Sequence, residues 1–332
     1  MATMIPDARR LVLASLFALS WCLPRADADT ISAYTYTHAG VDGVPSLASK
    51  VPAGVGDVFL KAIDIAPDGS VLPKISGGNF YPAAWPTGSP SPQFTAMINA
   101  DPTTDWTTAN PATALTTALT SNNWTQDYNA GITVDAEFAT EIQTFPQNWV
   151  TAMTDLRSLA NGAGQGFSLY LSPKYLDAAR YPNAATNATT LAGILGTAPS
   201  GVANAVLFPT YADNASNIDA ATLNAATTAV AGHSLTHRWI YNLSQSESVF
   251  AEAMQRASAA DSQASSAADG PVVYAYEDNQ AVTATMTANF NTLSVTLAVP
   301  EPATTALLVS ASLGIAMFRL LPSIRRRGHR VS

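Results

Sequence analysis

The sequence predicts an α/β fold, a (β/α)8 TIM-barrel-like body, on three observations. Short apolar runs of strand character recur at intervals of roughly 30 to 40 residues. Segments with helical spacing lie between them. The stretch left after two terminal segments are set aside, residues 29–298, has the length of one such barrel.

The strand-like runs can be taken in order: Ile31 to Thr37, Asp57 to Ile65, Gln93 to Asn99, Gly131 to Glu137, Gly166 to Ser172, Asn204 to Tyr211, His237 to Leu243 and Pro271 to Tyr276. Between them, Phe145 to Ala160 carries Trp149, Met153, Leu156 and Leu159 at helical spacing, and Gly162 and Gly164 supply its stop. Ile218 to Val230 is alanine-rich with Asp219 near its start, and Glu247 to Ala260 carries Val249, Phe250, Ala253 and Met254. Thr107 to Thr120 and Thr189 to Leu195 are weaker helices, and Pro45 to Lys50 offers a short helical turn. The segment from Pro67 to Pro92 is rich in proline and glycine and reads as a long loop. No eighth helix is evident after the last strand. Ala288 to Ala298 alternates through Phe290, Leu293, Val295 and Leu297, which reads as an extra strand or an extended linker. An incomplete barrel therefore stays open. The rival is an all-β secreted domain, and the helical segments after the fourth and seventh strands argue against it.

The terminal segments differ in kind from the body. At the amino end, Arg9 and Arg10 precede the apolar run Leu11 to Leu19, and Ala26-Asp27-Ala28 provides a small-residue cleavage site. Residues 1–28 thus read as a secretory signal peptide. The single cysteine, Cys22, would leave with it, so disulfides and thiolate metal sites are not expected. At the carboxyl end, residues 299–332 hold Pro300-Glu301-Pro302, then an apolar run from Ala303 to Leu321 broken by Arg319. Arg325, Arg326, Arg327, His329 and Arg330 follow. The run is long enough for a transmembrane helix, and the arginines would keep its end cytoplasmic. This tripartite tail resembles the PEP-CTERM sorting signal. The resemblance implies a bacterial exported protein, membrane-anchored through the C-terminal helix before an exosortase-type enzyme processes it for the cell envelope or extracellular matrix.

The chain carries 24 acidic and 16 basic residues, a net charge of −8. Half of the basic residues lie in the two terminal segments, so the body is more acidic still. Such a charge balance argues against nucleic acid or an anionic lipid surface as a partner.

The strand Gly131 to Glu137 carries the densest chemistry. Its side chains alternate, so Thr133, Asp135 and Glu137 share one face while Ile132, Val134 and Ala136 take the apolar other. Paired carboxylates at a strand's carboxyl end are where a parallel barrel keeps its active site. The remaining strand ends are rich in tyrosine, amide and carboxylate side chains, among them Tyr34, Tyr36, Asn99, Tyr211, Asp213 and Tyr276. Aromatic faces beside hydrogen-bonding groups suit a sugar. A structural or vestigial carboxylate pair is the competing account of Asp135 and Glu137. No histidine cluster supports a metal site, no nucleophile-elbow context surrounds Ser46 or Ser172, and no cofactor is implied. Trp106, Trp124 and Trp149 read as helix-packing residues before sugar contacts.

Gly131-Ile132-Thr133-Val134-Asp135-Ala136-Glu137 resembles the signature strand of family-18 glycoside hydrolases, the chitinases and endo-N-acetylglucosaminidases. Phe208-Pro209-Thr210-Tyr211-Ala212-Asp213 is similar to that family's sixth-strand motif. The resemblance implies Glu137 as the general acid and Asp135 as its partner, orienting a substrate N-acetyl group that acts as nucleophile. It also implies Tyr211 as an N-acetyl contact, a polysaccharide partner, and Tyr276 in the place of the family's eighth-strand tryptophan. The match is degenerate: Thr133 stands where the family has an aspartate, and Asp213 falls one residue late. The expected function is a glycoside-hydrolase-like barrel acting on N-acetylated polysaccharide. The alternative is a non-catalytic carbohydrate-binding or structural surface protein on the same scaffold.

Overall fold

In the computed structural model, residues 31–38, 43–74, 92–138, 142–212, 216–266, 268–274, 276–277 and 279–298 are described. The proposed signal peptide, the PEP-CTERM-like tail with its apolar run, and Asp213 all lie outside them. Among the described residues no helix is long and apolar enough to cross a membrane. The chain divides into two compact units, residues 1–290 and 291–332.

The first unit is a closed barrel of eight parallel strands. They are β1 (Ile31–His38), β2 (Val55–Ile65), β4 (Gln93–Ala100), β5 (Gly131–Ala136), β6 (Gly166–Tyr170), β7 (Asn204–Pro209), β8 (Thr236–Asn242) and β9 (Val272–Tyr274). Each strand pairs with the next around the ring. Pairing of β1 with both β2 and β9 closes it, so the incomplete-barrel alternative falls away. All eight predicted strands are present. An additional short strand, β3 (Val71–Pro73), runs antiparallel to the end of β2, within the stretch read as a long loop. There Ala66 and Ser70 close a tight turn, and Gly69 supplies the positive φ that turn requires. Residues 75–91 of that stretch lie outside the described ones.

The helices follow from apolar spacing and local stops. In chain order they are α1 (Gly43–Ala48), α2 (Ala112–Ser121), α3 (Trp124–Asp127), α4 (Gln147–Gly162), α5 (Ala184–Leu195), α6 (Ala220–Gly232), α7 (Glu247–Ala264) and α8 (Ala284–Ala298). Helix α4 buries Trp149, Ala152, Met153, Leu156 and Ala160 on one stripe, and Gly164, at φ 71°, turns the chain into β6. Helix α6 starts at Asp219, whose carboxylate accepts the Thr222 backbone N–H at 2.8 Å.

Helix α8 overturns the expectation for Ala288 to Ala298, which is neither strand nor linker. Met286, Phe290 and Leu293 recur at i, i+4 and i+7, and Met286 and Phe290 are buried. Val295, which the alternating pattern would have placed with them, is exposed. Residues 291–298 of this helix fall in the second unit.

Two features seat β5. Register pairs Asn99 with Asp135 on one side and Asp135 with Tyr170 on the other. At its start, a side chain on Gly131 would put Cβ 2.2 Å from the Gly166 carbonyl oxygen, so the β5–β6 approach needs glycine there. Trp106, Trp124 and Trp149 are all buried packing residues.

Candidate functional site

The barrel interior is layered. A buried cluster of Tyr34, Phe59, Met97, Tyr170, Leu207, Ile240 and Val272 fills its centre, and the half-buried rings of Tyr36, Tyr211 and Tyr274 pack against it. Along β1, Tyr34 and Tyr36 are two residues apart and point the same way, which puts Tyr36 nearer the carboxyl ends of the strands. The mouth at those ends is therefore floored by aromatic rings, as inward alternation on parallel strands dictates.

Asp135 is the polar centre of this arrangement. It is 2% exposed. The Tyr34 hydroxyl donates to its Oδ2 at 2.6 Å, and the Tyr36 hydroxyl donates to the same oxygen at 2.7 Å. Oδ1 has no hydrogen-bond partner among the described residues. Burial, with the charge of Glu137 adding to it, pushes the Asp135 carboxyl up to about 6, while the two phenols and Lys61 hold it back. Burial and the same carboxylate push the phenols of Tyr34 and Tyr36 well above their ordinary range, so both remain donors at any working pH.

The other predicted residues sort clearly. Glu137 lies just beyond the end of β5 and is exposed. The next residue, Phe138, packs with Phe145, Trp149 and Tyr175, which anchors the chain immediately after it. Tyr211 packs with Tyr36 against the ring cluster beside Asp135, and the charges of Asp135 and Glu137 both push its phenol upward. Asn99 donates to Asp64 Oδ1 at 3.2 Å on the neighbouring strand. Tyr34 sits beneath the mouth, 1% exposed, and serves Asp135 rather than presenting a surface. Tyr276 lies elsewhere: it is 1% exposed and its ring meets Phe290 edge-on at 6.4 Å.

Three residues of the mouth escape a reading by motif. Tyr274 stacks with Tyr211 at 6.1 Å and 19°, and meets Tyr36 edge-on. It is paired with Tyr34 across β1 and β9, so strand parity is the signal that finds it. Tyr170, opposite Asp135 in register, completes the ring floor. Lys61 lies over the Tyr36 ring, 5.7 Å from its centroid, and 3.5 Å from Asp64. Asp64 also pairs with Lys74 at 3.1 Å.

Thr133 is buried on the same face of β5 as Asp135, and its hydroxyl oxygen accepts a hydrogen bond from Ser168 at 2.8 Å. His237, on β8, is buried and bonded to Asp261 at 2.8 Å. Trp239 donates to the other oxygen of the same carboxylate. That arrangement ties β8 to α7.

The opposite end of the barrel is also polar. Arg238 donates to the carbonyls of Asp269 and Gly270 and to the Ser32 hydroxyl, tying three segments together. Asp57 accepts from Thr95, and both line a cavity near Arg238. Burial pushes the Asp57 carboxyl up to about 7 despite the neighbouring guanidinium. Polar contacts at this face of a barrel serve its stability.

No family model, no curated protein and no solved structure matches this chain.

Proposed function

We propose that the chain is a glycoside-hydrolase-like barrel that acts on N-acetylated polysaccharide at the mouth around Asp135. The observation that carries this reading is the convergence of two phenol hydroxyls on one oxygen of a buried carboxylate. Its other oxygen is buried with no hydrogen-bond partner among the described residues, Tyr211 packs against the same ring cluster as Tyr36, and the charge of Glu137 acts on Asp135. The two phenol bonds fix the orientation of the carboxylate, and its unpartnered Oδ1 is the acceptor for the amide N–H of an N-acetyl group once the rings above it give way. Glu137, exposed beside it, is placed to protonate the departing glycosidic oxygen, with the N-acetyl oxygen as nucleophile in place of a second carboxylate. The half-buried rings of Tyr36, Tyr211 and Tyr274 offer C–H faces of a sugar an apolar floor. Release of reducing ends from chito-oligosaccharides by residues 29–298, against the same protein carrying Glu137→Gln, tests it. A loss of about 100-fold or more with binding retained is expected, and equal rates remove Glu137 from the chemistry.

One observation favours a second reading, a carbohydrate-binding protein without turnover. Thr133 with its Ser168 partner puts a neutral pair where a further carboxylate would tune the acid. Binding of chito-oligosaccharides with no hydrolysis by the wild-type chain would select it. Under either reading the amino-terminal segment and the PEP-CTERM-like tail make this an exported envelope protein. Deletion of 299–332 is then expected to release it to the medium.

A further inference from the structure

We propose that Lys61 is a positioning residue for Asp135, the carboxylate on which the proposed activity rests: its ammonium serves as the buried counter-ion of the mouth, acting partly through the ring of Tyr36. Lys61 lies on β2, with its side chain 14% exposed, so its charge is not dispersed in water. The ammonium lies 5.7 Å from the centroid of the Tyr36 ring, within cation–π range, and that ring's hydroxyl donates to Asp135 at 2.7 Å. A cation on a phenol's face withdraws electron density and makes its O–H a stronger donor, so the charge of Lys61 reaches Asp135 along the hydrogen bond as well as through space.

Asp64 does not use up that charge. It lies 3.5 Å from Lys61, but Lys74 sits closer at 3.1 Å and Asn99 donates to it at 3.2 Å. Two ammonium groups share one carboxylate, leaving positive charge over on the β2 side of the mouth. Across from it stand Asp135 and Glu137 on the β5 side. Among the described residues, the other titratable groups around Asp135 are the phenols of Tyr34 and Tyr36 from β1, Tyr170 from β6, Tyr211 after β7 and Tyr274 from β9, with the Glu277 carboxylate behind them, accepting the Tyr36 backbone N–H at 2.7 Å. The phenols are pushed upward and stay neutral, and a carboxyl group brings no positive charge, so among the described residues Lys61 is the cation that acts on Asp135.

The test is a carboxyl-carbon NMR titration of Asp135 in the wild type, Lys61→Met, Lys61→Gln and Lys61→Arg. Asp64 keeps Lys74 and Asn99 in each variant, so the fold is expected to survive. The midpoint should move up by about half a pH unit or more in the two neutral variants, and Lys61→Arg should return it toward the wild-type value. An unmoved midpoint in a folded neutral variant overturns the proposal. Loss of fold in both neutral variants marks Lys61 as structural and overturns it as well. Hydrolysis by the wild type is read separately: a protein that shows the shift but cleaves nothing loses the hydrolase reading and keeps its counter-ion.

Discussion

The hydroxyl of Tyr36 donates to Asp135 Oδ2 at 2.7 Å, from a residue 99 positions earlier in the chain. Tyr34 donates to the same oxygen, so the first barrel strand supplies both donors to the carboxylate of the fourth parallel one. Removing either should raise the midpoint of Asp135 above about 6, because each bond favours its charged form. Tyr34→Phe is expected to cost about 1.5–3 kcal/mol at pH 8, as for a buried hydrogen bond to a charge. Tyr36→Phe should cost less, since Tyr36 is only half-buried. Urea unfolding and the Asp135 NMR titration measure both effects. A midpoint unmoved in either variant would contradict the geometry.

Tyrosines two residues apart on the last strand and its extension should behave differently. Tyr274→Ala removes a ring stacked on Tyr211 in the mouth and should weaken oligosaccharide binding by about tenfold. Tyr276→Phe removes a buried hydroxyl with no partner among the described residues, and should leave binding unchanged with stability equal or higher. Calorimetric titration with chitotriose separates them. The reverse ranking would put the sugar floor on Tyr276.

At the barrel's other end, Asp57 should report on pH. Its folded carboxyl titrates near 7 against an ordinary 3.8. A raised folded value means that stability is fully present below about pH 4 and is lost as pH rises through about 7. Asp57→Asn cannot ionise and escapes that loss. The stability of Asp57→Asn minus that of the wild type should therefore grow from pH 4 to pH 8 and level off there. Thermal unfolding of both proteins across that range checks the sign. A difference that is flat or falls with pH would show that Arg238 outweighs the burial of Asp57.

The barrel was legible because parallel strands buried on both faces leave apolar runs, and eight of them recur at nearly even spacing. The helical stripe of α4 was legible for the same reason: Trp149, Met153 and Leu156 mark one face. Helix α8 was not, because Phe290, Leu293, Val295 and Leu297 satisfy a period of two almost as well as a helical one. Only the exposure of Val295 separates the two readings. In the mouth, Asp135, Tyr36 and Tyr211 stood out by motif and strand position. Tyr274 was hidden because the end of its strand cannot be located to within two residues from sequence. The strand ends at Tyr274, and a strand read on to Tyr276 puts the later tyrosine at its end. The role of Lys61 depends on pairing between β1 and β2, which no local pattern contains.

The most direct measurement is an NMR map of chitotriose bound to residues 29–298, following the amides and ring signals of the barrel. A sugar site around Asp135 predicts saturable shifts concentrated on Tyr36, Asp135, Glu137, Tyr211 and Tyr274, abolished by Asp135→Ala. Shifts confined to Asp57 and Arg238 at the opposite end, or none at millimolar sugar, would contradict it.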